Sequence, residues 1–225
     1  IAVPATTATI YDVFVDYTAG VPVLEVVAWT NGTTRATALA TQNGVYVQTS
    51  DTDSLYVCSF RTTGVSGQTE DSFANRFVWN YYHRKPRAMR VLEATDSWTY
   101  TTATIRQANG STANQLAFIV GVAEVMLEAD VRAMAKNTSA GVEVGVGIGL
   151  DSTTTPATGC IMQRGDTPAV SRLALPSAML RTYPAVGYHY AAWLEQSQAT
   201  GTTTWNGDDN QPTLFQSGIT GSIEG

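Results

Sequence analysis

Between Val142 and Leu150 an apolar residue stands at every second position (Val142, Val144, Val146, Ile148, Leu150), with Gly145, Gly147 and Gly149 in the gaps. A period of two is the period of a β-strand; on a helix the same residues would scatter around the axis. The strand so defined has one branched, apolar face and one bare face. Bare glycines let a neighbouring sheet or an aromatic ring approach closely. The same alternation recurs elsewhere. Tyr11, Val13, Val15 and Tyr17 stand with Thr9 opposite Asp12 and Asp16, Trp98, Tyr100, Thr102 and Thr104 alternate with smaller residues, and Tyr188 to Glu195 repeats the pattern.

These segments organise the chain. Thr9–Tyr17 and Val21–Trp29 read as a first hairpin; Val45–Val47 and Leu55–Phe60 read as a second, joined to it by the mostly polar stretch Thr30–Gln42. Residues 122–136 have helix-forming composition. Yet Val125, Leu127, Ala129, Val131 and Ala133 alternate with Met126, Glu128, Asp130, Arg132 and Met134, which predicts a strand. Thr202–Trp205 follows the turn at Gly201 as the hairpin partner of Tyr188–Glu195. Gly64–Gln68 marks a boundary, after which Thr69 is placed to cap a helix over about 69–82. Glu70 and Asp71 suit its first turn, Phe73, Phe77 and Trp79 its apolar stripe, and Pro86 stops it. The expectation is a mainly β protein in three parts. Residues 1–66 form an N-terminal β-hairpin module, 67–87 a linker with one short helix, and 88–225 an antiparallel β-sandwich of jelly-roll type.

Composition narrows the function. Only 14% of the 225 residues are charged against 44% hydrophobic, and the net charge is −6. That balance argues against disorder and against a nucleic-acid partner, which requires a basic face. Leu116–Val125, the longest apolar run, is too short to span a membrane. Cys58 and Cys160 lie far apart and read as buried thiols, with a single bridge as the alternative. Ile1 is not an initiator Met, and the opening strand reads as internal to a longer chain.

Chemical motifs are weak. The glycines at 145, 147 and 149 miss the GxGxxG spacing, because Leu150 stands where the third glycine belongs. His83 and His189 lack metal-ligand spacing and read as surface or structural residues. Asp51-Thr52-Asp53 and Asp208-Asp209-Asn210 read as turn tips, and Asn31, Asn109 and Asn137 head acceptor-type triplets of the kind a Thr-rich chain produces by chance. No catalytic residue, cofactor or metal is expected.

One segment stands out. From Arg76 to Arg90 (RFVWNYYHRKPRAMR) an aromatic block of Phe77, Trp79, Tyr81 and Tyr82 runs into the only dense basic cluster, Arg84, Lys85, Arg87 and Arg90. Aromatic and arginine side chains are enriched at interface hot spots, so these eight residues are the interface candidates. The alternative is that the cations pair with local acids (Glu70, Asp71, Glu93, Asp96) while the aromatics fill the core. The four aromatics do not share one helical face, since neighbours on a helix are about 100° apart.

Residues 69–116, 144–159, 183–209 and the opening 11–39 resemble a family of structural proteins of tailed-bacteriophage virions, described as minor structural, tail-fibre or capsid-associated components. The resemblance implies a non-enzymatic part of a virion exterior, in contact with other virion proteins; with the broad, weakly charged faces of a Thr-rich sandwich it points to a homotrimer, a monomer docked on a capsid lattice being the alternative. A glycan-binding host-recognition module of a tail fibre is the rival expectation, with Trp98, Trp193, Trp205 and the tyrosines offered to sugar faces. A glycan-cleaving spike with two facing carboxylates is a third.

Overall fold

The computed structural model describes every residue except Ala19, with Thr18 described by its backbone alone. β1 (Ile10–Thr18) and β2 (Val21–Ala28) pair antiparallel from Tyr11 opposite Ala28 to Thr18 opposite Val21. β3 (Leu39–Gln42) and β4 (Val45–Gln48) form a second hairpin around Asn43 and Gly44, whose φ values of 51° and 83° are those of the tight turn Asn-Gly favours. β5 (Leu55–Arg61) lies between the two hairpins, giving the order β2-β1-β5-β4-β3. β3 falls in the stretch read from sequence as a plain connection. Its residues Leu-Ala-Thr-Gln bury little beyond Leu39, so the alternation that marks the other strands is missing.

The helix expected over 69–82 does not form. In its place stand β6 (Asn75–Arg76) and β7 (Val78–Asn80). Thr69 caps nothing; its hydroxyl donates to the Arg61 carbonyl at 2.8 Å. The Glu70 carboxylate holds a tight turn instead, accepting from the Ser72 hydroxyl at 2.5 Å and the Asn75 amide at 2.9 Å. Phe77 and Trp79 are buried while Val78 between them is half-buried, which is strand periodicity. β7 pairs with β5, whereas β6 runs parallel to a strand of the larger sheet.

That larger sheet is built from β8 (Pro86–Leu92), β10 (Arg106–Gln107), β11 (Gln115–Val120) and β12 (Leu127–Arg132), to which β14 (Glu143–Leu150), β15 (Ile161–Asp166) and β16 (Ser177–Thr182) are added. β17 (Gly187–Ser197) and β19 (Gly218–Glu224) complete it in the order β6-β11-β17-β14-β15-β16-β12-β19-β8, with β10 also on β17. The sheet curls until its ends nearly meet, where the Arg90 N–H donates to the Phe73 carbonyl at 2.8 Å. Three strands stand apart: β9 (Ser97–Thr99), β13 (Met134–Asn137) and β18 (Thr203–Asn206), in the order β13-β18-β9. The chain is therefore mainly β, with antiparallel and mixed sheets. The only helical turn among the described residues is a 3-10 turn at Ala108–Gly110, where Asn109 and Gly110 have φ of 55° and 60°.

Two further expectations are corrected. β18 pairs with β13 and β9 rather than with β17, so the turn at Gly201 carries the chain from one sheet to another. The bare face of β14 meets neither a sheet nor a ring; the backbone at Ser152 and Thr155 closes over Gly149, and Met162 and Pro156 lie over Gly147. The strand reading of 122–136 holds in part: Val125, Leu127, Ala129, Val131 and Ala133 are all buried, but the strand proper is Leu127–Arg132, and after Ala133 the chain passes into β13 of another sheet. Cys58 and Cys160 are free and half-buried.

One core runs through both large sheets. Ile10, Phe14, Trp29 and Tyr56 of the first pack into the same cluster as Leu116, Phe118, Leu127 and Trp193 of the second, with Trp79 between them. The sheets come close at Gly121, just after β11, where an added Cβ would collide with the Trp79 ring and the Tyr56 hydroxyl. Removing the 1% exposed Trp79 ring by Trp79→Ala is expected to cost about 3–5 kcal/mol of unfolding free energy in urea denaturation. Gly121→Ala overpacks the same place and is expected to cost about 1–3 kcal/mol by the same measurement.

Candidate functional site

The segment Arg76–Arg90 is the hinge between the sheets: β6 and β8 belong to the larger one and β7 to the smaller. Its aromatic side chains divide accordingly. Phe77 is buried edge-on to Tyr188 (6.1 Å between centroids), with the Arg61 guanidinium over both rings. Trp79 stacks on Tyr56 at 6.3 Å, and Tyr81 meets Trp79, Tyr56 and Tyr46 at 6.2, 6.1 and 5.2 Å. Tyr82, edge-on to Tyr81, is exposed.

The basic residues meet partners in their own chain. Arg84 donates to Glu124 at 2.8 Å and lies 4.8 Å from the Tyr81 ring centre, while Tyr46 donates to the other Glu124 oxygen at 2.9 Å. The Arg84 and Tyr46 hydrogen bonds hold the Glu124 carboxyl below its ordinary range. Arg87 pairs with Asp71, which also accepts from Arg76 at 3.0 Å. Arg90 lies over the Phe73 ring at 5.1 Å. Lys85 is exposed, and its carbonyl accepts the Gly225 N–H at 3.2 Å. Pairing with local acids is thus realised at Asp71, and the Glu124 contact joins residues 40 positions apart.

Beside this belt opens a cleft of about 450 Å³ lined by Thr33, Thr34, Arg35, Leu39, Tyr46 and Val186 among others. Arg35 is its best-defined group. Its Nε donates to Asp12 Oδ2 at 2.7 Å, and its Nη2 to Asp12 Oδ1 at 3.3 Å and to the Gly121 carbonyl at 2.6 Å. The guanidinium lies 4.4 Å from the Trp29 ring centre. Asp12 Oδ1 also accepts from Ser59, whose oxygen is 2.6 Å from the Tyr56 hydroxyl. Burial, with the Asp12 charge adding to it, pushes the nearby Cys58 thiol up to about 11, which leaves it unreactive at neutral pH.

Three further buried ionisable groups were not legible as sites. Glu195 accepts from Trp98 Nε1 at 2.8 Å, Arg106 Nε at 2.9 Å and the Asn109 N–H at 3.1 Å; burial raises its carboxyl despite these donors. Glu93 accepts from Asn114 at 2.6 Å, the Thr95 N–H at 2.9 Å and the Asn109 amide at 3.2 Å. Burial opposes the Glu93 charge, but these hydrogen bonds outweigh it and its carboxyl sits below the ordinary range. Together the two carboxylates grip the 3-10 turn. The signal available in sequence was Glu195 standing in phase with Ala191 and Trp193 on the inward face of β17. His189 bridges Asp151 (2.7 Å, Nδ1) and the Ala185 carbonyl (2.8 Å, Nε2), and packs on Phe118.

The remaining motifs are structural. Trp98, Trp193 and Trp205, offered from sequence as sugar platforms, are buried. Asp51 and Asp208 accept the Asp53 and Asn210 N–H groups as turn tips do, Asn109 and Asn137 have their amides bonded internally, and His83 is exposed. Among the described residues no cluster of three or more His, Cys, Asp or Glu is placed to hold a metal ion, and no helix is long and apolar enough to cross a membrane. Compared with known proteins, the chain matches no family model and no curated protein sequence.

His189 has a pH consequence. Both ring nitrogens face acceptors, an arrangement that only the doubly protonated ring satisfies at both ends. Burial alone lowers the imidazole, but the Asp151 hydrogen bond and charge and the Ala185 carbonyl outweigh it and raise it above 6.5. A raised folded value contributes stability that is complete below pH 6.5 and lost as pH rises through that value. Chemical denaturation across this window is expected to show stability falling with pH in the wild type. His189→Gln is expected to flatten that part of the profile.

Proposed function

We propose that the protein is a non-enzymatic structural component of a phage virion exterior, a capsid-associated (decoration) or tail-fibre protein. In this reading the nearly closed sheet is an antiparallel, jelly-roll-like sandwich, and the partners are other virion proteins and further copies of the chain. The observation that carries an architectural role is the condition of the buried ionisable groups Asp12, Glu93, Glu195 and His189. Each is held by fixed donors or acceptors of the fold. A general acid, base or nucleophile needs a lone pair or proton within reach of substrate. Here those atoms maintain turns and sheet contacts. The same condition weighs against a glycan-cleaving spike, because the Glu93 and Glu195 carboxylates are both engaged by the 3-10 turn. Resemblance over residues 69–116, 144–159 and 183–209, together with the acidic charge, supports a place outside the genome. The test is the composition of purified particles: the protein is expected there in stoichiometric amount, and its confinement to the lysate overturns the proposal.

A glycan-binding module is the second reading, and one observation favours it. The Tyr46 ring lines the open cleft beside Thr33 and Thr34, and the Tyr81 and Tyr82 rings continue the aromatic surface beyond it. Stacking of sugars on that surface is expected to give glycan-array binding that Tyr46→Ala abolishes. Silence of the wild-type array leaves the purely architectural role.

A further inference from the structure

β2 is the outermost strand of the six-stranded sheet, and among the described residues nothing pairs with its far edge. The Trp29 N–H donates to the Ile10 carbonyl at 2.8 Å, which sets the phase of the ladder. Antiparallel pairing alternates, so odd-numbered residues of β2 bond to β1 while Pro22, Leu24, Val26 and Ala28 turn their backbone groups outward. Pro22, which lacks an N–H, falls at an outward position, as edge prolines do. Val21, Val23 and Leu24 are 61%, 50% and 54% exposed, and consecutive residues point to opposite faces, so the hairpin stands proud of the body on both sides. Tyr17, opposite Pro22, is exposed as well. Lysines, prolines, bulges or a covering loop ordinarily protect such an edge, and here Pro22 blocks one outward position while Leu24, Val26 and Ala28 stay open. Here the one charge in β2 is Glu25, and its carboxylate is turned back to Gln48 (2.6 Å) and Ser54 (3.5 Å).

We propose that this edge is a self-association surface, to which β2 of a second copy adds antiparallel about a two-fold axis at Leu24. The register places Leu24 opposite Leu24, Val23 opposite Glu25, Pro22 opposite Val26 and Val21 opposite Val27. It covers all three exposed apolar residues. It also sets each Glu25 against a valine, whereas a register centred on Glu25 places like charges face to face. Pro22 leaves only the Val26 carbonyl without a ladder donor. Self-complementarity of that register selects a second copy as the occupant: it covers Val21, Val23 and Leu24 of both edges at once and sets no like charges opposite each other. Two chains of net charge −6 repel in most orientations, and at this edge each presents a single carboxylate that is already engaged. The contact is isologous and closes at two, so a trimer is not built from it alone. It does not depend on the virion placement.

Light scattering of the purified chain at micromolar concentration is expected to give twice its 24.0 kDa mass. Leu24→Pro removes an outward N–H and leaves the β1–β2 ladder intact; Leu24→Lys sets two cations opposite each other. Both are expected at 24.0 kDa with unchanged circular dichroism, while Leu175→Lys, at another exposed apolar residue, keeps the dimer. If Leu24→Pro fails to fold, Leu24→Lys decides. A wild type at 24.0 kDa throughout overturns the proposal, as does an assembly of three or more copies. So does a dimer that survives both Leu24 substitutions, or a chain that pairs with an added strand peptide but not with itself.

Discussion

Where β11 ends, the backbone of the larger sheet comes against the rings of Trp79 and Tyr56, and it does so only because residue 121 has no side chain. The Gly121 carbonyl thereby reaches Arg35, Arg35 is neutralised by Asp12, and Asp12 is oriented by Ser59 and Arg35 together. Each member of this chain is buried or nearly so, and each leans on the next. A buried ion pair adds little net stability over an apolar isostere of the same shape, whereas breaking one side of it costs several kcal/mol, typically about 3–5. Through the Gly121 carbonyl this ion pair ties the smaller sheet to the larger one, and the aromatic stack of Trp79, Tyr81 and Tyr46 lies along the same seam.

Strands with a clean period of two were legible in the sequence because their burial is one-sided. Val144, Val146 and Ile148 face the core, as do Leu127, Ala129 and Val131, and the alternation is a direct record of that. The helix expected over 69–82 gives way to β6 and β7 for a physical reason. Thr69, Glu70 and Asp71 carry the composition of a helix start, but their side chains close a turn and an ion pair instead. Phe77, Trp79 and Tyr81 fall at spacings of two, and that was the stronger signal. β15 was not read at all: Ile161, Met162, Gln163 and Arg164 are all exposed, so no alternation survives to reveal it.

The candidate site was partly legible. The aromatic and basic residues of 76–90 do sit together at the seam, but their partners Glu124, Tyr46 and Arg35 come from distant positions that nothing local announces. Glu93, just past the end of β8, and Glu195 of β17 converge on one turn from positions about 100 residues apart, and only the folded chain brings them there. The fold places its ionisable chemistry in the frame and leaves apolar residues exposed on the β2 hairpin.

The central claim is that the two large sheets share one core locked at the Gly121 seam and open together. Native-state hydrogen exchange measures this directly. The account requires the most protected amides of β1 and β5 to open with the same free energy as those of β11 and β17, and to follow the same denaturant dependence. Separate opening energies for the two sheets, with β1–β5 exchanging while β11 and β17 stay protected, would contradict it.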